Sequence, residues 1–458
     1  MYTLVLLSLL GFLVLFLGAF DQKKLLLPVA LTGLAAAFIL NAMDWGTNIT
    51  WYGMMNLDNY AISFTGLIIF IVFMLLMIAT WHFRNEDSNV ADIYALMIFS
   101  AVGAMLMTSF TSLVMLFIGI EILSIPLYIM AGSRRMNLSS NEASLKYFLM
   151  GAFSSGVLLF GITLVFGVCN SFDLNVISDY VNNTESTPLI FNAGVMMILI
   201  GFGFKIGAVP FHFWSPDVYQ GAPTLITAFM ATVVKTAAIA AFYRLFDTCF
   251  SGIDGVWYQI VWVISVVTIL LGNISAVMQN EAKRMLAWSG VANAGYLLIP
   301  IMALNETSAS TLFYYSAAYS VASITAFAVI IALSGVKNEL QMDQFKGLAK
   351  NNPLLTTALV VSMFSLAGIP PLAGFFGKYM VFFTAFNSNL IVAVLFAIAG
   401  SLIGVYYYFR PVVYAFNNEG QTPEKIQANV AFNLVIFSGI FLSLFLAIFQ
   451  DFFNGLPG

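Results

Sequence analysis

Glu121, Lys146, Lys205, Lys235 and Lys378 interrupt stretches of this sequence that are otherwise apolar. An ammonium group at the centre of a membrane helix costs roughly 2.5–3.5 kcal/mol on insertion scales. A chain that is 61% hydrophobic and 8% charged could place neutral residues there, so the retained bases need a reason. Burial disfavours the charged form of a lysine, and a nearby carboxylate favours it. A lysine balanced between those influences gains and releases a proton as its neighbours move, which is the requirement for a proton relay. Four bases against one acid cannot all be charged at once in apolar surroundings, so at least one lysine is expected to rest neutral. No ladder of carboxylates accompanies them, and this favours protons over a metal cation.

Each residue also has a plainer reading. Glu121, followed by Ser124 and Pro126, could be half of a structural ion pair, although that still requires a cationic partner. Lys205 lies five residues before Pro210, and Lys235 lies midway through the next apolar run. Neither reaches an interface comfortably by snorkelling. Lys378 could snorkel toward one face. Lys146, about a turn into its span, could equally be an anchor at the span's cytoplasmic end.

The elements that position these residues are predicted to be membrane helices. Mean hydropathy is +0.94, which excludes an ordinary soluble domain. Apolar runs of about 20 residues, the length needed to cross about 30 Å of hydrocarbon, recur from 2–20 to 429–450 and number about fourteen. They are too long and too continuously apolar for barrel strands. The expected fold is therefore an all-α integral membrane protein. The first run lacks a basic leader and a small-residue cleavage site, so it is expected to be retained. Cys169 and Cys249, with His82 and His212, form no metal or disulfide pattern, and no glycine-rich nucleotide loop sits in a βαβ context. The chain is expected to carry no cofactor and to bind no nucleic acid.

Two runs are broken in similar ways. Residues 203–210 read Gly-Phe-Lys-Ile-Gly-Ala-Val-Pro, and 368–378 read Gly-Ile-Pro-Pro-Leu-Ala-Gly-Phe-Phe-Gly-Lys. Proline removes a helical donor and glycine eases unwinding. Paired interruptions in corresponding halves point to inverted repeats with broken helices. Pro210 and Pro370 lie 160 residues apart, which places five-helix repeats at 91–245 and 256–413. A three-helix segment, 1–90, precedes them and a last helix, 429–450, follows. Assigning alternate loops to alternate sides puts Lys23, Lys24, Arg84, Arg134, Arg135, Lys283, Arg284, Lys337, Lys346, Lys350, Arg410 and Lys425 on one side and only Arg244 on the other. The positive-inside rule makes the first side cytoplasmic and puts both termini outside. Short outward loops such as 304–308 and 385–388 predict no extramembrane domain.

The stretch Pro210-Phe-His-Phe-Trp-Ser-Pro-Asp-Val-Tyr-Gln-Gly-Ala-Pro-Thr224 resembles a signature of the antiporter-like subunits of the proton-pumping NADH–quinone oxidoreductase, respiratory complex I. Asp217-Val218-Tyr219 with Gly221-Ala222-Pro223-Thr224 is closer to the subunit N branch than to the L or M branches. Glu281–Tyr296 and Ser365–Lys378 match as well, so the resemblance spans essentially the whole chain. It implies a Glu121–Lys205 ion pair on a cytoplasmic input path, Lys235 on a central axis, and Lys378 as the terminal relay toward the outer face. Lys146 matches a family lysine. Many relatives carry histidine where this chain has Asn293, a departure that would require ordered water at that point.

The resemblance also implies a bacterial inner-membrane location. Expected partners are the lipid bilayer, antiporter-like subunit M and the small subunits A, J and K. NADH, FMN, iron–sulfur clusters and quinone would sit on partner subunits. An Mrp-type cation/proton antiporter subunit and a non-catalytic membrane scaffold remain open as alternatives.

Overall fold

The computed structural model describes residues 1–83, 90–334, 340–417 and 424–456. Arg84 and Lys337, counted above on the basic side, lie outside the described residues. The chain begins with helices α1 (Tyr2–Ala19) and α2 (Lys23–Met43). A hairpin of β1 (Ile49–Trp51) and β2 (Met55–Leu57) leads into α3 (Asn59–His82) and α4 (Val90–Ser109). Next come α5 (Leu113–Ala131), α6 (Leu138–Cys169), the short α7 (Leu174–Asn183), α8 (Leu189–Ile206) and α9 (Trp214–Gly221). The following crossing joins α10 (Thr224–Phe229), a π-helical turn (Met230–Val234) and α11 (Lys235–Cys249). Then run α12 (Asp254–Val277), α13 (Ala282–Ala303), α14 (Ser308–Ser334), α15 (Leu348–Asn351), α16 (Pro353–Ala367), α17 (Ala373–Asn387), α18 (Ile391–Phe416), α19 (Val430–Ile448) and α20 (Gln450–Asn454).

Thirteen helices among the described residues are long and apolar enough to cross a membrane. The sequence suggests about fourteen; the shorter apolar helix α16, followed beyond a break by α17, occupies the remaining stretch. The fold is helical because each crossing must satisfy its own backbone hydrogen bonds in hydrocarbon.

Burial is uneven and locates the core. The crossing Thr224–Cys249 is enclosed along its whole length, and α13 and α14 are nearly so. By contrast α1, α2, α6, α18 and α19 keep large apolar side chains exposed, among them Phe16, Phe153, Leu402 and Phe441. Lys235 therefore sits on the most central helix of the bundle.

Small residues allow helices to approach closely without a polar driving force. Where α6 crosses α8, a Cβ on Gly161 would lie 2.7 Å from the Gly194 carbonyl oxygen, and one on Gly194 would lie 2.9 Å from that of Gly161. The contact fixes the first broken helix against its longest neighbour.

Two elements at one end of the bundle are absent from the sequence reading. The β1–β2 hairpin pairs Ile49 with Leu57 and turns through Tyr52 and Gly53, both at positive φ (48° and 64°). Its turn lacks the Asn-Gly or Asp-Gly pair that usually advertises such a hairpin. The second, α7, buries Leu174, Ile177 and Val181 along one stripe and is capped by the Asp173 side chain on the Asn175 amide. It is too short to register among the long apolar runs.

Charge divides by end. Lys23, Lys24, Arg134, Arg135, Lys283, Arg284, Lys346, Lys350, Arg410 and Lys425 gather where α2, α4, α6 and α13 begin. At the opposite end Arg244 pairs with Asp58 at 2.6 Å, and the N-terminal amine pairs with Asp44 at 3.3 Å.

Overpacking the α6–α8 crossing tests its role. Gly161→Val should destabilise the detergent-solubilised protein by about 1–3 kcal/mol, read as a lower thermal midpoint. An unchanged midpoint would show that the two backbones are free to separate.

Candidate functional site

The first break begins where α8 stops at Ile206. Gly207 takes the left-handed conformation at φ 73°, and the Ala208 amide bonds back to the Gly203 carbonyl at 2.8 Å. Pro210 has no amide hydrogen to offer a helix. The Val209 amide is satisfied by Thr268 Oγ1 of α12 at 3.0 Å, and Trp214 Nε1 donates to the Phe204 carbonyl at 3.1 Å. The unwound segment is thus held from both sides.

Lys205, in the last turn of α8, is 5% exposed. Its Nζ donates to Ser124 Oγ at 2.8 Å, and Ser124 donates on to the Ile120 carbonyl at 2.6 Å. The direct Glu121–Lys205 ion pair expected from the sequence is not formed. Ser124, one turn beyond Glu121 on α5, takes the ammonium instead, and Glu121 remains its charged neighbour. Glu121 is half-buried, and its enclosed Oε1 accepts no hydrogen bond from the described residues.

The second break repeats the local chemistry. α16 ends at Gly368, also left-handed at φ 84°, with the Gly368 and Ile369 amides bonding back to the Phe364 carbonyl at 3.0 Å. Breaking a helix leaves its last carbonyls without intrahelical partners, and that end carries partial negative charge. Lys378 of α17 uses this directly. Its Nζ donates to the Ala367 carbonyl at 2.9 Å and to Ser401 Oγ at 3.1 Å, and it stands 5.3 Å above the Tyr296 ring. It too is 5% exposed. Snorkelling to a face is excluded for this residue.

Lys235 follows immediately after the π-helical turn, a feature often found at functional positions because the extra residue displaces the helix register. Its Nζ donates to the Gly290 carbonyl of α13 and lies 5.5 Å from the Tyr319 ring. At 5% exposure it is as enclosed as the other two. Three lysines therefore stand in the interior, each with an oxygen acceptor from a neighbouring helix.

Of the two readings open for Lys146, its position fits the anchor at the end of its span and not a lysine within the apolar interior. Its side chain is 40% exposed, and its Nζ pairs with Glu142 at 2.7 Å and Asp217 at 3.1 Å. The cause is position: on the third turn of α6 it faces the basic end, where α9 brings Asp217 within reach. Asp217 also takes Arg284 Nη1 of α13 at 2.9 Å, and Arg284 binds Gln220 Oε1 at 2.7 Å. One carboxylate thus ties α6, α9 and α13 together. Partial burial pushes the Asp217 carboxyl upward, but the bonds from Lys146 and Arg284 outweigh it and hold it below the usual carboxylate value.

Sequence reasoning gave no role to Ser124, Ser401, Tyr296, Tyr319 or Asp217. Hydroxyl residues are common in apolar helices, and nothing in their spacing reveals which face meets a lysine. For Ser124 a signal existed, since three residues after Glu121 places it beside that carboxylate on a helix. Asp217 lay within a recognised motif whose geometry only the fold supplies. Among the described residues, no group of three or more His, Cys, Asp or Glu could hold a metal ion.

Because its folded-state value is depressed, the Asp217 contribution to stability is present above the unfolded carboxylate range and lost only as pH falls through the folded value. Asp217→Asn should therefore cost about 0.2–1 kcal/mol, the range for half-exposed pairs, with the same deficit at every pH from about 6 to 9. A deficit that vanished within that window would contradict the assignment.

Residues 109–404 match the family described as NADH:quinone oxidoreductase/Mrp antiporter, transmembrane. A protein of Cytophaga hutchinsonii named NADH-quinone oxidoreductase subunit N is 42% identical over 92% of this chain and 91% of its own length. A chain of respiratory complex I from Thermus thermophilus with bound aureothin shares the fold at a TM-score of 0.86 and 30% identity, covering all of both chains. A chain of the Mrp complex from Dietzia sp. DQ12-45-1b superposes at 0.87 with 18% identity, over 99% of this chain and 95% of that one, a likeness of fold alone.

Proposed function

We propose that this chain, which belongs to the NADH:quinone oxidoreductase/Mrp antiporter family of membrane proteins, carries protons across the bilayer through Lys205, Lys235 and Lys378 as a subunit of an NADH–quinone oxidoreductase. The observation that carries this reading is the burial of three lysines at 5% exposure, each bonded to oxygen rather than to a carboxylate. An ammonium whose hydrogen bonds all go to neutral oxygens can lose its proton without breaking a salt bridge. Electron transfer takes place on partner subunits, which hold NADH, FMN, iron–sulfur clusters and quinone.

The path runs from the basic end. Lys146 gathers protons at the mouth beside Glu142 and Asp217. Glu121 and Lys205 form the input pair, with Ser124 holding the ammonium until the carboxylate moves toward it. Lys235 receives the proton at the centre, and Lys378 passes it to the far side. Moving one charge against 100 mV costs about 2.3 kcal/mol, which a swing of about two units in a lysine's proton affinity supplies. Conformational changes in neighbouring subunits would provide that swing by altering the Glu121–Lys205 distance.

By the positive-inside rule the basic end is cytoplasmic, and both described termini are periplasmic in a bacterial inner membrane. Residues 91–245 and 256–413 form the two inverted repeats, with 1–90 and 429–450 flanking them. The left-handed glycines at both breaks, each close in sequence to a buried lysine, support this division. Antiporter-like subunit M and small subunits A, J and K are the neighbours in the membrane arm.

Lys205→Ala, Lys235→Ala and Lys378→Ala should each lower proton pumping at least about tenfold in reconstituted vesicles while the complex still assembles. Lys205→Arg should fail as well, because a guanidinium keeps its proton. Normal pumping in the three alanine variants would remove the relay. Sodium–proton exchange without quinone reduction would instead assign the chain to the antiporters.

A further inference from the structure

A cavity of about 630 Å³ lies at the basic end among α1, α2, α3 and α4, and no residue of the proposed relay lines it. Sites for small molecules typically enclose about 300–1,000 Å³. The walls are of two kinds. Phe12, Leu15 and Phe16 of α1 face Leu26 and Leu27 of α2 across an apolar slot. From Ala19 down to Phe12 the slot runs about 10 Å at 1.5 Å per residue. Phe12 and Phe16 are also 54% and 61% exposed, so the slot opens on the apolar face that the bundle turns to lipid. At the helix ends the lining changes to Lys23, Asp92 and Thr80.

The charges at this rim are poorly matched from within the chain. Lys23 is the first residue of α2, where the helix dipole disfavours a cation. Its Nζ lies 3.7 Å from Asp21, and both side chains are more than four-fifths exposed, a pairing of little strength. The Gln22 side chain leaves the start of α2 uncapped, which adds partial positive charge beside Lys23. Asp92, in the first turn of α4, forms no ion pair with a described residue. Thr80 is already engaged, donating to the Met77 carbonyl and accepting from Asn429. Tyr94 is not. It is 3% exposed and lines the cavity, and its hydroxyl bonds to no described residue. A hydroxyl this deeply buried requires a hydrogen-bond partner, so Tyr94 calls for a polar atom inside the cavity.

We propose that this cavity binds a phosphatidylethanolamine of the adjoining leaflet, with its phosphate at Lys23, its ammonium at Asp92 and one acyl chain in the slot between α1 and α2. The Tyr94 hydroxyl donates to an ester oxygen of the same lipid. Headgroup chemistry selects this class. A primary ammonium offers three N–H donors to the Asp92 carboxylate, whereas the quaternary ammonium of phosphatidylcholine offers none. Phosphatidylglycerol brings a net negative charge beside Asp92 with no cation to meet it. The bound lipid fastens α1 and α2, the least enclosed crossings of the bundle, to the start of α4. This site requires only that the chain spans a bilayer, and it stands or falls separately from the proton relay.

The test uses the assembled complex in nanodiscs containing a trace of phosphatidylethanolamine with a photoreactive diazirine on one acyl chain, and reads cross-linked peptides by mass spectrometry. Phosphatidylethanolamine should label α1 and α2 at least about tenfold more than phosphatidylcholine or phosphatidylglycerol with the same chain, the difference made by one charge-assisted hydrogen bond. Asp92→Asn should abolish that preference. Tyr94→Phe should lower labelling about threefold while keeping the headgroup order, because all three lipids carry the ester. Ala19→Trp, at an exposed small residue of the lining, should block labelling by every lipid. Equal labelling by the three headgroups would overturn the proposal. So would an Asp92→Asn complex that keeps the preference, or stronger labelling by phosphatidylglycerol. Where Tyr94→Phe fails to assemble, the exposed Asp92 arm decides alone.

Discussion

An ammonium group cannot be left dry inside a bilayer, and in an intact helix each backbone carbonyl already takes one amide, so only its second lone pair is open to a base. Every backbone carbonyl in hydrocarbon is already committed to the amide four residues on. The bundle answers that constraint in three ways, with a freed carbonyl, a shared helix carbonyl and a hydroxyl. Breaking α16 at Gly368 frees the Ala367 carbonyl for Lys378. The π-helical turn ends at Lys235, whose acceptor is the Gly290 carbonyl. Lys205 relies on a hydroxyl, Ser124, whose own proton goes back to its helix. Each base lies beside a departure from regular helix or a serine, and the lysines and the breaks are parts of one design.

The same constraint explains why the acceptors are neutral. A carboxylate in direct contact with each lysine would hold its proton too firmly for exchange against a membrane potential. Glu121 lies near Lys205 without forming a salt bridge, so it acts on the amine through charge and not through a direct bond. At the basic end the opposite arrangement appears. Asp217 is held between Lys146 and Arg284, a fixed clamp where α6, α9 and α13 meet. The interior is built for exchange and the mouth for rigidity.

Much of this was legible in the sequence, for identifiable reasons. Long apolar runs fix the number of crossings because bilayer thickness fixes helix length, and Gly207, Pro210, Gly368 and Pro370 mark both breaks by their backbone chemistry. Buried lysines stand out in so apolar a chain. What escaped was relational. The exposure of Lys146 depends on where α9 places Asp217. That Lys205 of α8 bonds Ser124 of α5, one turn from Glu121, depends on tertiary placement that spacing along the chain does not give. The β1–β2 hairpin turns at Tyr52-Gly53, a pair that carries little turn signal, and α7 is too short to compete with the spans around it. Tyr94 reads as an ordinary membrane aromatic until α1 and α2 set a cavity beside it.

The central claim is that Lys205, Lys235 and Lys378 are joined by a continuous line of oxygen through the bundle. High-resolution cryo-electron microscopy of the intact assembly in lipid nanodiscs tests it most directly, at a resolution that shows ordered water. The account predicts water and hydroxyl density linking the basic end to Lys378 by way of Ser124, Lys235 and Asn293, with all three amines facing that line. Amines turned toward either aqueous surface, with only packed apolar side chains between them, would contradict it.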